Sequence, residues 1–268
     1  MPAREAPPAI PGADGESCPR RAPGPRRRRV GGHRAPPPGR RGSGRGRGSR
    51  LVARRRRRLD ELVAEMADGL AVEADVRDPD AGAHVVEEVV SAFGGLDAVV
   101  YAAAVTRLGD LVDADAEVWQ DVLATNLVGA SLVLRAACAE LTASGGRALV
   151  LSSDSVAYPF PGLGPYAASK AALDKLIEAW RGEHPDVGIT RVIIGPTATE
   201  AASSWDPDLA GRYFEVWAER GLLADAVIPQ QAEQVADRLV ELLAAPEIPD
   251  DVELFPPGMA STLEDGSR

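Results

Sequence analysis

"RALVLSSDSVAYPFPGLGPYAASKAALDKLIEAWRGEHPDVGITRVIIG", residues 147–195, decides the fold. Its opening "RALVLSS" is an apolar run of strand length. "YAASKAALDKLIEAW" then spaces its apolar residues three and four apart, the period of an amphipathic helix. "ITRVIIG" is again short and rich in β-branched residues. Two such strands joined through a helix of more than ten residues form a βαβ unit, a connection that makes the strands parallel.

The alternation continues in both directions. Upstream, "LDELVAEMA" (59–67) has helical spacing, "GLAVEADV" (69–76) reads as a short strand and "AHVVEEVVSAF" (83–93) as a helix. "LDAVVYAAAV" (96–105) follows as a buried strand and "EVWQDVLATNLVGASLVLRAACAEL" (117–141) as a long helix. Downstream, after a looser stretch, come the helix "QQAEQVADRLVELLAA" (230–245) and a last strand, "DVELFP" (251–256). Apolar strands alternating with amphipathic helices predict an α/β fold, a doubly wound parallel sheet with helices on both faces. Ligands of such a sheet lie beyond the carboxyl ends of its strands.

The first 50 residues differ in kind. They are rich in Pro, Gly and Arg and nearly devoid of Val, Ile and Leu, a composition that cannot bury enough apolar surface to fold alone. Residues 1–58 hold 18 arginines against three acids, net +15, whereas the remainder holds 12 cations against 37 acids, net −25. The predicted organisation is a Pro/Gly/Arg-rich segment over 1–50, a folded domain over 51–258 and a tail over 259–268. A basic arm suggests nucleic acid, but residues 1–58 contain no aromatic side chain on which a base could stack, so nucleic acid is not the expected partner. No apolar run in the sequence is long enough to read as a membrane span, and no secretory leader is apparent. Two cysteines, Cys18 and Cys138, make no disulfide framework, and no Cys/His cluster has metal-ligand spacing. The expectation is a cytoplasmic protein without metal or membrane.

The chain writes its cations almost entirely as arginine: 28 against two lysines, Lys170 and Lys175. Lys170 follows Tyr166 by four residues on a helix, so the two side chains share a face. A phenol has an ordinary pKa of about 10, and a neighbouring ammonium favours the phenolate and lowers that value toward neutrality. A compact ammonium with rotatable donors suits this work and the holding of a ribose hydroxyl better than a planar guanidinium does. Ser153 ends the strand "ALVLSS" thirteen residues before Tyr166, with Ser152 and Ser155 as rival hydroxyls. Asn126, the only asparagine, sits inside the long helix, where its amide can bend the helix or hold a water that relays protons to the lysine. The bland readings are an exposed helix pair for Tyr166 and Lys170, a strand-end hydroxyl for Ser153 and a satisfied core amide for Asn126.

Together these residues resemble the short-chain dehydrogenase/reductase family over roughly residues 51–256. Its Tyr-x-x-x-Lys stands here as "YAASK", its upstream serine as Ser153, its helix asparagine as Asn126 in "ATNLVGA" and its adenine-side aspartate as Asp75 in "EADV". Its Pro-Gly-x-x-x-Thr element appears as "IGPTAT", with Ile194 in place of proline, Gly195 kept and Thr199 as the threonine. The resemblance implies a Rossmann-like fold and an NAD(P)-dependent oxidoreductase interconverting an alcohol and a ketone. In it Tyr166 moves the proton, Ser153 orients the carbonyl, Lys170 holds the nicotinamide ribose and Asn126 supports the relay. It implies cofactor contacts from Asp75, Val76, Ala103, Tyr166, Lys170, Gly195 and Thr199. Arg54 or Arg55 is expected to meet a 2′-phosphate, which favours NADP over NAD. A homodimer or homotetramer through the helices over 116–142 and 164–182 is implied as well.

Two departures accompany the resemblance. The family's Asn-Asn-Ala-Gly reads "YAAA" here, so Tyr101 and Ala104 replace an amide and a glycine. More severely, the first strand, glycine-rich turn and helix that would receive a dinucleotide pyrophosphate are absent or scrambled. "GRRGSGRGRG" (39–48) has glycines, but no apolar strand precedes it. An Arg/Pro/Gly/Ala-rich product is what GC-rich DNA yields out of frame, and His33–Arg34 read one base later can conceal Ile-Gly. Residues up to about 50 are therefore expected to be a frameshifted β–loop–α unit. If they are genuine, the alternative is a catalytically impaired binding or scaffold protein of the same fold. Trp205, Tyr213, Phe214 and Trp217 form either a satellite apolar cluster or subunit contact, or a lid over an apolar substrate.

Overall fold

The structure is a computed structural model that describes residues 48–54, 56–66, 69–222 and 228–259. The Pro/Gly/Arg-rich segment up to Arg47, and positions 260–268 of the expected tail, lie outside the described residues. Four strands, β3 (Ala98–Tyr101), β4 (Arg147–Ser153), β5 (Gly188–Ile194) and β8 (Asp251–Leu254), form one sheet in the order β3-β4-β5-β8. β1 (Ser49–Ala53) and β2 (Gly69–Glu73) form a second sheet, and two-residue strands β6 (Thr197–Ala198) and β7 (Gln230–Gln231) make a minor bridge. Every pairing is parallel, as the βαβ reading requires.

The helices follow the strands: α1 (Arg56–Val63), α2 (Ala81–Phe93), α3 (Ala116–Leu123), α4 (Ala130–Ser144), α5 (Gly164–Glu183), α6 (Pro207–Glu219) and α7 (Ala232–Ala244). Strand β4 shows why both faces are covered. Ala148 and Val150 point into a core built with Leu134, Ala137 and Leu141 of α4 and Leu173 and Ile177 of α5. Leu149, one residue out of phase, joins Val192 of β5, Val235 of α7 and Leu254 of β8 on the other side. Two apolar faces on one strand are what a sheet wound on both sides needs. The helical run Ala116–Ser144 is long and apolar enough by length and composition to cross a membrane, but Ala130, Leu134, Ala137 and Leu141 are buried in this core. One helix escaped the sequence reading: α6 occupies part of the looser stretch. Its start signals were present, since Asp206 accepts from Leu209 N at 2.8 Å and Pro207 takes the first turn.

The doubly wound sheet is in two pieces. Among the described residues no strand joins β1 to β3. Val52 and Val100 are 39% and 40% exposed, although a central parallel strand ordinarily buries both faces. Between the two edges lies a cavity of about 770 Å³, lined by Val52, Ala53, Val99, Val100, Tyr101 and Val86 among others.

Between α3 and α4 the helix widens to a π turn over Ala124–Gly129, and Asn126 lies in it, so the expected distortion of the helix occurs where the amide sits. Widened turns of this kind gather at functional sites. The Tyr101 hydroxyl donates to the Thr125 carbonyl at 2.6 Å, and Gly129 leaves room for that ring, since a Cβ there would stand 2.7 Å from Tyr101 Oη. Tyr101 thus has a packing role of its own in place of the family's amide. Tyr101→Phe keeps the ring and removes a buried hydrogen bond, so it should lower stability by about 1–2 kcal/mol, read by thermal or urea unfolding. A variant as stable as the parent would show that the bond does not hold the turn.

Candidate active site

The end of β4 sorts the three rival serines. Ser152 turns inward, and its hydroxyl donates to Asp174 Oδ1 at 2.5 Å. Ser153 begins the short turn Asp154–Val156; its Oγ accepts from Ser155 N at 3.1 Å and donates to Asp154 Oδ1 at 3.1 Å. The Ser155 hydroxyl is buried and has no hydrogen-bond partner among the described residues. Of the three, Ser153 is the one whose hydroxyl acts on the ionisation of the Tyr166 phenol.

Helix α5 places Tyr166 and Lys170 on the face turned to this strand end. Lys170 is 3% exposed, its Nζ donates to the Leu151 carbonyl at 2.7 Å, and the same ammonium stands 5.8 Å from the centre of the Tyr166 ring. Burial pushes the lysine down to about 8, with the Asp174 carboxylate opposing that shift. The Tyr166 phenol is not lowered as expected. Burial raises it, the Ser153 hydrogen bond opposes that effect, and the negative charge of Asp154 adds to it. Desolvation outweighs the lowering effect of Ser153 here.

Asn126 is fully engaged. Its Oδ1 accepts from Val105 N at 2.8 Å, and its Nδ2 donates to the Val105 carbonyl at 3.0 Å and to Ser169 Oγ at 2.9 Å. The side chain therefore pins the loop after β3 to the π turn and to α5, which is the satisfied-amide reading. Both amide protons are thus used, while Oδ1 accepts a single bond.

On the cofactor side, Arg54, Asp75, Val76 and Ala103 line the one cavity between β1 and β3. Arg55 lies outside the described residues. Asp75 is held by Arg77, which reaches its two carboxylate oxygens from Nε at 3.0 Å and Nη2 at 2.6 Å and spans to Asp121 at 3.2 Å. The Arg77 guanidinium keeps the Asp75 carboxyl below its ordinary value against a smaller effect of burial. Neither Arg77 nor Asp121 was singled out from sequence, because their partnership spans 44 residues. Gly195 and Thr199 stand at the carboxyl end of β5, where Ile194 is in register with Ser153. A Cβ on Gly195 would come within 2.9 Å of Phe255, so close packing requires the glycine. Thr199 Oγ1 accepts from Ala201 N at 3.2 Å and starts the short helix Glu200–Ser204.

These residues fit the two ends of a dinucleotide. Arg54, Asp75, Val76 and Ala103 about one cavity would suit the adenosine end, and Lys170 and Tyr166 the nicotinamide end. The glycine cradle for the pyrophosphate has no counterpart among the described residues. The aromatic residues gather about Trp217, 4% exposed, with Phe160, Phe214, Trp205 and Tyr213 at 5.3, 5.0, 6.2 and 6.4 Å between ring centres. Trp217 Nε1 donates to the Pro161 carbonyl at 2.8 Å and Trp205 Nε1 to Thr106 Oγ1 at 3.1 Å. The cluster therefore laces together the loops that follow β3, β4 and β5.

Asp154 is the strained charge of the site. Burial pushes its carboxyl up to about 6, opposed by bonds from Ser153 and backbone amides. A carboxyl raised on folding favours the folded state below its ordinary pKa, and that advantage is lost as pH rises through about 6. Asp154→Asn should therefore stabilise the protein at pH 8 by about 1–3 kcal/mol, and the gain should vanish below about pH 4. Unfolding curves at the two pH values check this; a gain that does not depend on pH would sink it.

Comparisons with known proteins agree with this geometry. The sequence profile of the short chain dehydrogenase family matches residues 45–209. A short chain dehydrogenase of Pseudocercospora fijiensis is 29% identical over 205 residues, covering 73% of this chain and 66% of that protein. The 3-oxoacyl-[acyl-carrier-protein] reductase of Staphylococcus aureus is 33% identical, covering 52% of this chain and 56% of the relative. The chain thus spans between about half and two-thirds of the length of these curated relatives. Among solved structures, an alcohol dehydrogenase of the archaeon Thermococcus sibiricus, complexed with 5-hydroxy-NADP, superposes with a TM-score of 0.66 at 23% identity, covering 80% of this chain and 88% of that one. Serine dehydrogenase in its closed form with NADP+ gives a TM-score of 0.68 at 19% identity, covering 81% and 88%. With the profile matched from the edge of β1 into α6, and with Ser153, Tyr166 and Lys170 meeting at one strand end, the chain belongs to the short-chain dehydrogenase/reductase family of oxidoreductases.

Proposed function

We propose that the protein interconverts an alcohol and a ketone by hydride transfer, with NADP as the preferred nicotinamide cofactor. The observation that carries this reading is the buried Lys170 ammonium facing the Tyr166 ring at 5.8 Å, with the Ser153 hydroxyl acting on the same phenol. When bound, the nicotinamide supplies the hydride in reduction and takes it up in oxidation. In reduction, Tyr166 gives its phenolic proton to the carbonyl oxygen while the Ser153 hydroxyl orients that oxygen; in oxidation the proton returns to the phenolate. Lys170 uses one donor on the Leu151 carbonyl and keeps two for a ribose hydroxyl and for the charge developing on Tyr166. Asn126 holds the loop after β3 rather than a proton. Asp75, Val76, Ala103, Gly195 and Thr199 complete the cofactor contacts in this reading, and the exposed Arg54 after β1 would meet a 2′-phosphate. The aromatic lid around Trp217 favours an apolar substrate. A homodimer or homotetramer through α4 and α5, and action in the cytoplasm, belong to the same reading.

A second reading has an observation of its own. The cavity between β1 and β3 and the lack of a glycine cradle among the described residues favour an impaired relative that folds but does not hold dinucleotide. Titration with NADPH, followed by its fluorescence, separates the two. Binding, with turnover of ketone lost at least about 100-fold in Tyr166→Phe, supports the oxidoreductase. A folded protein that leaves NADPH fluorescence unchanged supports the impaired relative. Arg54→Ser tests the cofactor choice: NADPH affinity should fall by about tenfold or more while NADH affinity holds. An equal change for both cofactors would remove the arginine from that role.

A further inference from the structure

Beneath the Tyr166–Lys170 pair lies a buried cluster of charges that the proposed reaction does not use. Asp174, one helical turn beyond Lys170 on α5, is 7% exposed. Its Oδ1 accepts from Ser152 at 2.5 Å, and its Oδ2 pairs with Arg191 Nη1 of β5 at 3.0 Å. Arg191, itself 6% exposed, is held from its other side by Asp251 of β8, through Nε at 3.0 Å and Nη2 at 2.8 Å. Lys170 bonds to the carbonyl of Leu151, the residue next to Ser152, so lysine and carboxylate are fixed to adjacent positions of one strand.

We propose that Asp174 is a positioning residue of this site: its carboxylate, fixed by Ser152 and Arg191, is the counter-ion that keeps buried Lys170 an ammonium and holds it against Tyr166. A buried lysine without a counter-charge gives up its proton, and a neutral amine would do nothing for the charge on a phenolate. The other charged groups around the pair are accounted for. Arg191 spends its guanidinium on Asp174 and Asp251, and Asp154 acts on Tyr166 rather than on the lysine. On α5, Tyr166 and Asp174 are the titratable groups that flank Lys170. Burial raises the Asp174 carboxyl, and Ser152, Arg191 and Lys170 all oppose that rise, as expected of a carboxylate placed to meet cations.

This inference rests on reading Tyr166 and Lys170 as the working pair, yet its test needs no turnover. The chain has only two lysines, so protein labelled with ¹³C-lysine gives two Cε resonances to follow against pH. Lys175, exposed and paired with Glu178, serves as the internal reference. In Asp174→Asn the Lys170 midpoint should fall by about one unit or more while that of Lys175 stays in place. An unchanged Lys170 midpoint in the folded variant would reduce Asp174 to a partner of Arg191 and overturn the proposal. Should the variant not fold, the unsubstituted protein decides: the Asp174 carboxyl carbon, labelled with ¹³C, must show a step at the pH where Lys170 titrates, and its absence overturns the proposal equally. In protein that turns over, the rising limb of the alcohol-oxidation pH profile should move to higher pH in Asp174→Asn. Failure of every form to turn over, with the lysine coupling intact, would sink the oxidoreductase reading and leave this one standing.

Discussion

The structure depends on a constraint of charge inside a low-dielectric core: the sheet beneath one strand end must house a buried lysine, bonded to the Leu151 carbonyl, beside a guanidinium held between two carboxylates, Asp174 and Asp251. Strand β4 does this by alternation. Its odd and even positions bury Leu149 on one face and Ala148 and Val150 on the other, and at its carboxyl end the same alternation turns Ser152 to Asp174 and Ser153 to Tyr166. Removing one member of a buried charge cluster leaves its partner desolvated and alone, a loss of several kcal/mol. The cluster therefore locks α5, β4, β5 and β8 into one register, and the geometry of the site follows from that register.

The same constraint explains why the phenol is not softened by its neighbour. Burial that brings Lys170 to about 8 also raises Tyr166, since water is withdrawn from both. The resting arrangement keeps the proton on the tyrosine, the state that reduction of a carbonyl requires.

What could be read from the sequence was whatever depends on local spacing. Tyr166 and Lys170 share a face because they are one helical turn apart, and the strands announced themselves as short apolar runs. Ser153 could be ranked above its neighbours only by counting back from Tyr166. The interactions that needed register were invisible: Ser152, Asp174 and Arg191 are 22 and 17 residues apart along the chain and meet only once β4 pairs with β5. Asn126 was legible only as an unusual residue in a helix. Its amide does sit at a distortion of the helix, but it is engaged with the backbone of Val105, a partner no spacing rule would select. Tyr101, which looked like a lost cofactor contact, turned out to close the carbonyl of Thr125.

The division of the sheet is the other consequence of an all-parallel topology. An antiparallel edge can be finished by a hairpin of a few residues, but a parallel one needs a crossover with a helix, so a single strand cannot be omitted without its whole unit. The edges of β1 and β3 face a cavity lined by alanines and valines, and a strand set between them would have to be apolar on both faces. Residues 1–47 offer one isoleucine and one valine, Ile10 and Val30, against a run of arginines and prolines. Proline cannot donate to a ladder, and arginine in that slot would find no carboxylate except Asp75, already held by Arg77. The physical mismatch is thus between two parts of one chain: a core from β3 onward that is fully specified, and an upstream composition that is chemically wrong for the place the core leaves for it.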